Sequence, residues 1–258
     1  MALSTNDIVV PGMDNNNTKK NEYKGIVPGN WKAKINKFEL WTEHWKPDNG
    51  LFLVMRMETA KPSPDFEGYP IDENDPDGPK HEGYTGAVKF STWAAKDKYD
   101  ARKGKMLTRD AYLLEDLLRL CVQLECVDWF KAAHNKYETI EEWVEAFNND
   151  APFKDKYLNV CIGGEQYVQK QSGKVKTGLH FVKYEKVDGT YYNAFGNASR
   201  KGNIVEYDEE KHYKKVAQEE VDSFDITAVD DAELPDTTTL DDITVNDLPF
   251  DLDPGFDL

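Results

Sequence analysis

The tightest constraint on the fold is a change of phase near the N terminus. Trp31, Ala33 and Ile35 alternate with Lys32, Lys34 and Asn36, the two-residue period of a half-buried strand. Then the apolar side chains jump to even positions, at Phe38 and Leu40. One extra residue in the strand produces this change of face: a β-bulge that bends the strand. A bent first strand is what a small closed barrel needs to turn a corner, although a plain antiparallel hairpin in an α+β domain fits this stretch equally well. Lys46-Pro-Asp-Asn-Gly50 then reads as a turn and Leu51 to Met57 as a second strand.

Lys61 to Gly83 is rich in Pro, Asp and Gly and reads as a long loop. Within it, Asp72 to Gly78 has the composition of a calcium loop but not the spacing. Pro76 interrupts the ligands, and Gly83 stands where a bidentate Glu is needed. Gly83 to Trp93 alternates as a third strand. Thr108 can cap a helix running to Cys121, with Leu113, Leu114, Leu117, Leu118 and Cys121 on one face. A second helix follows Asp128. Thr139-Ile-Glu-Glu142 is a capping box for a third, which buries Ile140, Trp143, Val144 and Phe147 and stops at Asn148 to Asp150. Lys156 to Gly163 is a strand that Gly163-Gly164 should break or bulge. Lys170 to Lys176 is a basic turn, Gly178 to Lys186 a last strong strand, and residues 189–207 an extension hairpin. Three strands, helices, then two strands is the element order of an OB-fold. The expected class is α+β, mainly β: a five-stranded barrel with a helical insert (about 106–150) between strands three and four.

The net charge of −16 is unevenly placed. From Val216 to Leu258 there are 14 of the 48 acids and no Lys or Arg, leaving 34 acids against 32 bases in the rest. A nearly neutral domain thus carries a strongly acidic tail, the composition of a disordered, partner-binding segment. The expected organisation is an Asn/Lys-rich arm over 1–22, a folded unit over 23–215 and a disordered tail over 216–258. The arm reads either as a nucleic-acid contact or as an ordinary frayed terminus. Cys121, Cys126 and Cys161 are odd in number and lie in apolar contexts, which predicts reduced buried thiols in a cytoplasmic protein. No signal peptide or membrane-length apolar run is evident, and no membrane partner is expected.

Aromatic residues sit among cations in several places. Lys89, Lys96, Lys98, Arg102 and Lys103 surround Trp93 and Tyr99. Trp41 and Trp45 precede Lys46 at the first turn, Arg56 lies on the second strand, and Tyr167 precedes Lys170, Lys174 and Lys176. Cations neutralise phosphates and flat rings stack on exposed bases, so this mixture suits single-stranded nucleic acid. In a barrel of this kind the second and third strands and their flanking loops face the ligand, which makes these fifteen residues the candidate groove. The readings kept against it are a single core Trp under a solvated loop, a structural or interaction protein such as a virion component or DNA mimic, and a metal-dependent nuclease. Against enzymes generally, the chain has no Walker loop and no nucleophile elbow. His44, His81, His134, His180 and His212 are scattered, so neither a zinc site nor any cofactor is expected.

Pro28 to Glu39, the helical insert and the strand-turn-strand from Tyr157 to Tyr184 resemble the OB-fold single-stranded DNA-binding proteins of tailed phages. The tail resembles the acidic tails of bacterial and phage single-stranded DNA-binding proteins. In the bacterial family such tails end in acids followed by Pro-Phe. Here Asp247-Leu248-Pro249-Phe250 is internal, and the sequence closes on Phe256, Asp257 and Leu258. The resemblance implies a non-enzymatic protein that coats single-stranded DNA in phage replication, recombination and repair. It also implies a tail that recruits replication proteins and competes with DNA for the groove.

Overall fold

A computed structural model describes residues 25–42, 50–70, 74–101, 103–169 and 173–216. The arm over 1–22 and nearly all of the tail lie outside these residues. The first strand, β1 (Gly29–Thr42), pairs antiparallel with β2 (Leu51–Thr59). Their register slips between Ile35 and Lys37, leaving Asn36 as the extra residue of the bulge that the phase change predicts. Ala33, Ile35 and Phe38 accordingly all point into the core.

Five strands close a barrel. β3 (Thr85–Lys89) pairs with β2, β6 (Tyr157–Gln169) pairs with the first half of β1, and β7 (Lys174–Phe181) joins β6 antiparallel to β3 parallel. Counting only barrel strands, the order is 1-2-3-5-4-1. The bulge makes closure possible. β1 holds β6 over Gly29–Lys34, then bends away while still paired to β2. Past the bend the edge of β1 has lost its partner strand, and Asn148 takes its place. Its Oδ1 accepts from the Phe38 amide and its Nδ2 donates to the Phe38 carbonyl, both at 2.8 Å.

A short hairpin, β4 (Lys98–Asp100) with β5 (Lys105–Leu107), leads into three helices: α1 (Arg109–Gln123), α2 (Val127–Ala133) and α3 (Ile140–Asp150). Thr108 caps α1, and Thr139 with Glu142 forms the capping box of α3, both at the positions the spacing predicts. The buried stripe of α1 is Leu113, Leu117, Leu120 and Cys121. Leu118, expected on that face, is exposed, because the stripe is rotated by about one position. α3 buries Ile140, Trp143, Val144 and Phe147. Phe147 joins Phe38 and Phe153 in a triad with ring centroids 5.0–5.1 Å apart. The three cysteines are free and buried.

Two expectations for the second half need correction. β6 is not interrupted at Gly163-Gly164, because those glycines make room for other backbone. A Cβ on Gly163 would stand 2.8 Å from the His212 carbonyl oxygen, and one on Gly164 would stand 2.7 Å from Pro28 Cγ and 2.9 Å from Tyr213. The expected last strand begins earlier than Gly178: β7 starts at Lys174, so Lys174 and Lys176 belong to a strand and not to a turn. The ladder to β3 involves only Leu179 and His180; over Lys174–Gly178 β7 pairs with β6 alone, and the two form a two-stranded arm. The remaining elements are the hairpin β8 (Glu185–Val187) with β9 (Thr190–Tyr192), β10 (Phe195–Asn197) against β6, a single turn α4 (Glu209–His212), and β11 (Tyr213–Lys214), parallel to β6 at Gly164.

Loop 60–83 packs against the Trp31 end of β1. The Tyr69 hydroxyl accepts from the Lys32 amide, and the Ala60 amide donates to the Lys32 carbonyl at 2.7 Å. His81 is buried between Tyr69 and Tyr84, stacked on the latter at 3.8 Å. Its Nδ1 accepts from the Gly83 amide at 2.9 Å, and its Nε2 has no hydrogen-bond partner among the described residues.

Candidate nucleic-acid interface

The register fixes which side chains share the outside of the barrel. In β1 and β2 the interior row is Phe38 with Met55, so Glu39 with Val54, Lys37 with Arg56, and Trp41 with Phe52 face outward. Val54 stands opposite Lys89 of β3, and Lys89 beside His180 of β7. Three of the sequence candidates, Trp41, Arg56 and Lys89, therefore share one outer surface. There the Glu39 carboxylate accepts from Trp41 Nε1 at 3.0 Å and from Arg56 Nε at 2.9 Å, and the Arg56 guanidinium lies 5.3 Å from the Trp41 ring centroid. Burial alone would raise the pKa of Glu39. The hydrogen bonds from Trp41 and Arg56, with the charges of Arg56 and Lys37, outweigh it and hold the carboxyl below its usual range. Burial lowers the pKa of His180; the charge of Glu165 opposes this and the charge of Lys89 adds to it.

The same surface continues along β7 onto the arm. Lys176 stands opposite Tyr167 and Lys174 opposite Gln169, so Tyr167 (51 % exposed) shares a face with both lysines. Its ring has room over Gly178, whose Cβ position is 3.7 Å from Tyr167 Cε1. Glu165, the acid on that face, is paired with Lys214 at 2.8 Å. From His180 to Lys176 is four residues, about 13 Å of strand. The chain leaves the described structure here as well: the Val216 amide donates to Gln166 Oε1 at 3.2 Å.

A third group lies after β3. Ala95 pairs with Leu51 at the start of β2, which brings the segment carrying Trp93 and Lys96 to the Phe52 end of the surface. Trp93 is 59 % exposed, and Tyr99 (61 % exposed) faces exposed Met106 across the β4–β5 hairpin. Cations of this group also have partners within the protein. Lys98 lies 4.9 Å from the Tyr112 ring and Lys103 pairs with Glu115. Trp45, Lys46, Arg102 and Lys170 lie outside the described residues, as do Asp247, Leu248, Pro249, Phe250, Phe256 and Leu258 of the tail.

Sequence reasoning missed Phe52. It lies in the unbroken apolar run Leu51–Met55, where composition cannot say which side chains face out; only the pairing with Trp41 does. Among the described residues no cluster of three or more His, Cys, Asp or Glu could hold a metal, and no helix is long and apolar enough to cross a membrane.

No family model, curated protein or solved structure matches the chain.

Proposed function

We propose that this chain is an OB-fold single-stranded DNA-binding protein of the phage type. It coats exposed strands during replication, recombination and repair, and its acidic tail competes with DNA and engages replication proteins. The observation that carries the reading is the arm face. One exposed tyrosine shares a strand surface with two lysines, continuous with an outer barrel face that carries Trp41, Arg56 and Lys89. Rings beside cations match a ligand made of bases beside phosphates. The barrel strand order supports the same reading, because an OB-fold presents its second and third strands and the adjoining loops to the ligand.

The start of the tail supports the regulatory part. Val216 bonds Gln166 at the base of the arm, so the segment that carries 14 acids is tethered to the same strand pair as the arm lysines. A tethered anion acts at high effective concentration and is displaced by a stronger polyanion. The test is intrinsic tryptophan fluorescence during titration with oligo(dT), at low and high salt, with the full chain and a 1–215 truncation. Quenching that weakens with salt and is tighter for the truncation is expected. Absence of quenching and of any mobility shift at low salt, for both forms, would refute the proposal.

A further inference from the structure

Phe52 and Val54 face outward on the barrel, yet Phe52 is 8 % exposed and Val54 is 0 % exposed. Neither belongs to the cluster that fills the interior. Their neighbours on that surface are long side chains. Lys89 Nζ sits 4.0 Å from the Phe52 ring centroid, and the Arg56 guanidinium reaches past Val54 to the Trp41 ring. Lysine and arginine stems cover apolar surface in this way while their charges stay in water. Phe52 thus has the Lys89 ammonium over its ring, and the partly exposed Trp41 has the Arg56 guanidinium beside it, with Arg56 also bonded to Glu39 at 2.9 Å.

We infer that Phe52 is a concealed base-stacking platform, with Lys89 as its lid and Arg56 as the lid over Trp41. The inference rests on the single-stranded DNA reading and adds to it a residue and a movement. When a strand enters, phosphates draw the two cations off the rings, and the uncovered rings take bases. The same cations then serve as phosphate contacts, so a lid that opens is not lost to binding. An aromatic ring gives its face to any base, which makes the platform tolerant of sequence. Lys37 and Arg56 on one side and Lys89 on the other flank the ring pair; of the acids on that face, Glu39 is bonded to Arg56, and Glu58, farther along β2, is paired with Lys34 and Lys61. A polyanion therefore suits this surface better than an acidic-neutral or cationic partner.

The experiment compares the full-length protein with Phe52→Leu, Phe52→Tyr and Lys89→Met in oligo(dT) titrations over a range of salt, with melting curves to check folding. Phe52→Leu keeps apolar cover over the sheet but removes the ring. It should weaken binding about tenfold or more at every salt concentration, leaving the slope of log K against log salt unchanged. Phe52→Tyr should restore the affinity. Lys89→Met should instead shallow that slope by about 0.7, the value for one lost phosphate contact on a single strand. Photocrosslinking of bound oligo(dT) should place an adduct on the peptide containing Phe52. If the unaltered protein binds oligo(dT) and folded Phe52→Leu binds equally well, the platform is refuted while the DNA reading stands. If the unaltered protein does not bind, the DNA reading itself fails and takes the platform with it.

Discussion

Replacing Asn148 by Ala tests how the barrel is closed. The Asn148 side chain pairs both backbone groups of Phe38, at 2.8 Å each, across 110 residues of sequence. Phe38 is buried and sits just past the bulge, where β1 has already left β6. Alanine leaves one N–H and one C=O without partners in a place water reaches poorly. An unpaired buried polar group costs about 1–3 kcal/mol, so two cost roughly 2–6 kcal/mol. Asn148 is itself only half-buried, so some water enters and the lower half of that range applies, roughly 2–4 kcal/mol. Against a typical stability of about 5–15 kcal/mol this is a large fraction. For a folded unit of this size it corresponds to a fall in Tm of about 4–16 °C, at roughly 2–4 °C per kcal/mol. Urea unfolding followed by circular dichroism would show a lower midpoint with an unchanged m-value. Asn148→Asp, which keeps the acceptor and loses the donor, should fall between the two. A loss below about 0.5 kcal/mol for Asn148→Ala, the size of an ordinary surface change, would refute the idea that this side chain replaces the missing ladder.

Other consequences can be checked as directly. Burial lowers the folded-state pKa of His81, so the unfolded chain takes up its proton first on acidification. Stability should therefore be full above about pH 6.5 and fall as the pH drops below it. Urea midpoints at pH 7.5 and 5.0 would show this, and His81→Gln should flatten the difference. Gly164→Ala places a methyl within 2.7 Å of Pro28 Cγ and 2.9 Å of Tyr213. Overpacking of this kind costs about 1–3 kcal/mol. It should also loosen residues 208–216, visible as earlier proteolytic cleavage there. Tyr167→Ala should weaken oligo(dT) binding by about 1–3 kcal/mol without altering its salt slope, read by fluorescence anisotropy. An unchanged affinity would remove the arm from the interface.

Local signals in the sequence proved readable because their causes are local. The slip between Ile35 and Phe38 gives the bulge, and Thr139 with Glu142 gives the start of α3, since each depends on residues within one turn or one strand. What the sequence hides is set by distant partners. Gly163-Gly164 resembles a break, and only the crossing of Pro28 and His212–Tyr213 over β6 explains two glycines inside a continuous strand. Leu118 matches the helical repeat of its neighbours, yet what α1 packs against puts Leu120 inside and Leu118 outside. Trp41, Arg56 and Lys89 can be picked individually as aromatic or basic. Their meeting on one surface, and the place of Phe52 between them, follows only from the register of three strands.

The crossing at Gly164 also bears on how the chain could be rewired. Pro28 and Tyr213 approach the same glycine, so the barrel begins and ends at a single seam on β6. In topological terms the fold is close to a ring, and a ring can be opened anywhere the backbone is exposed and lightly tied. The β4–β5 turn at Gly104, where a Cβ would meet nothing within 4 Å, is such a place. A circular permutant joined across the seam and opened at Gly104 should fold to the same barrel, with both new ends in the hairpin that carries exposed Tyr99 and Met106.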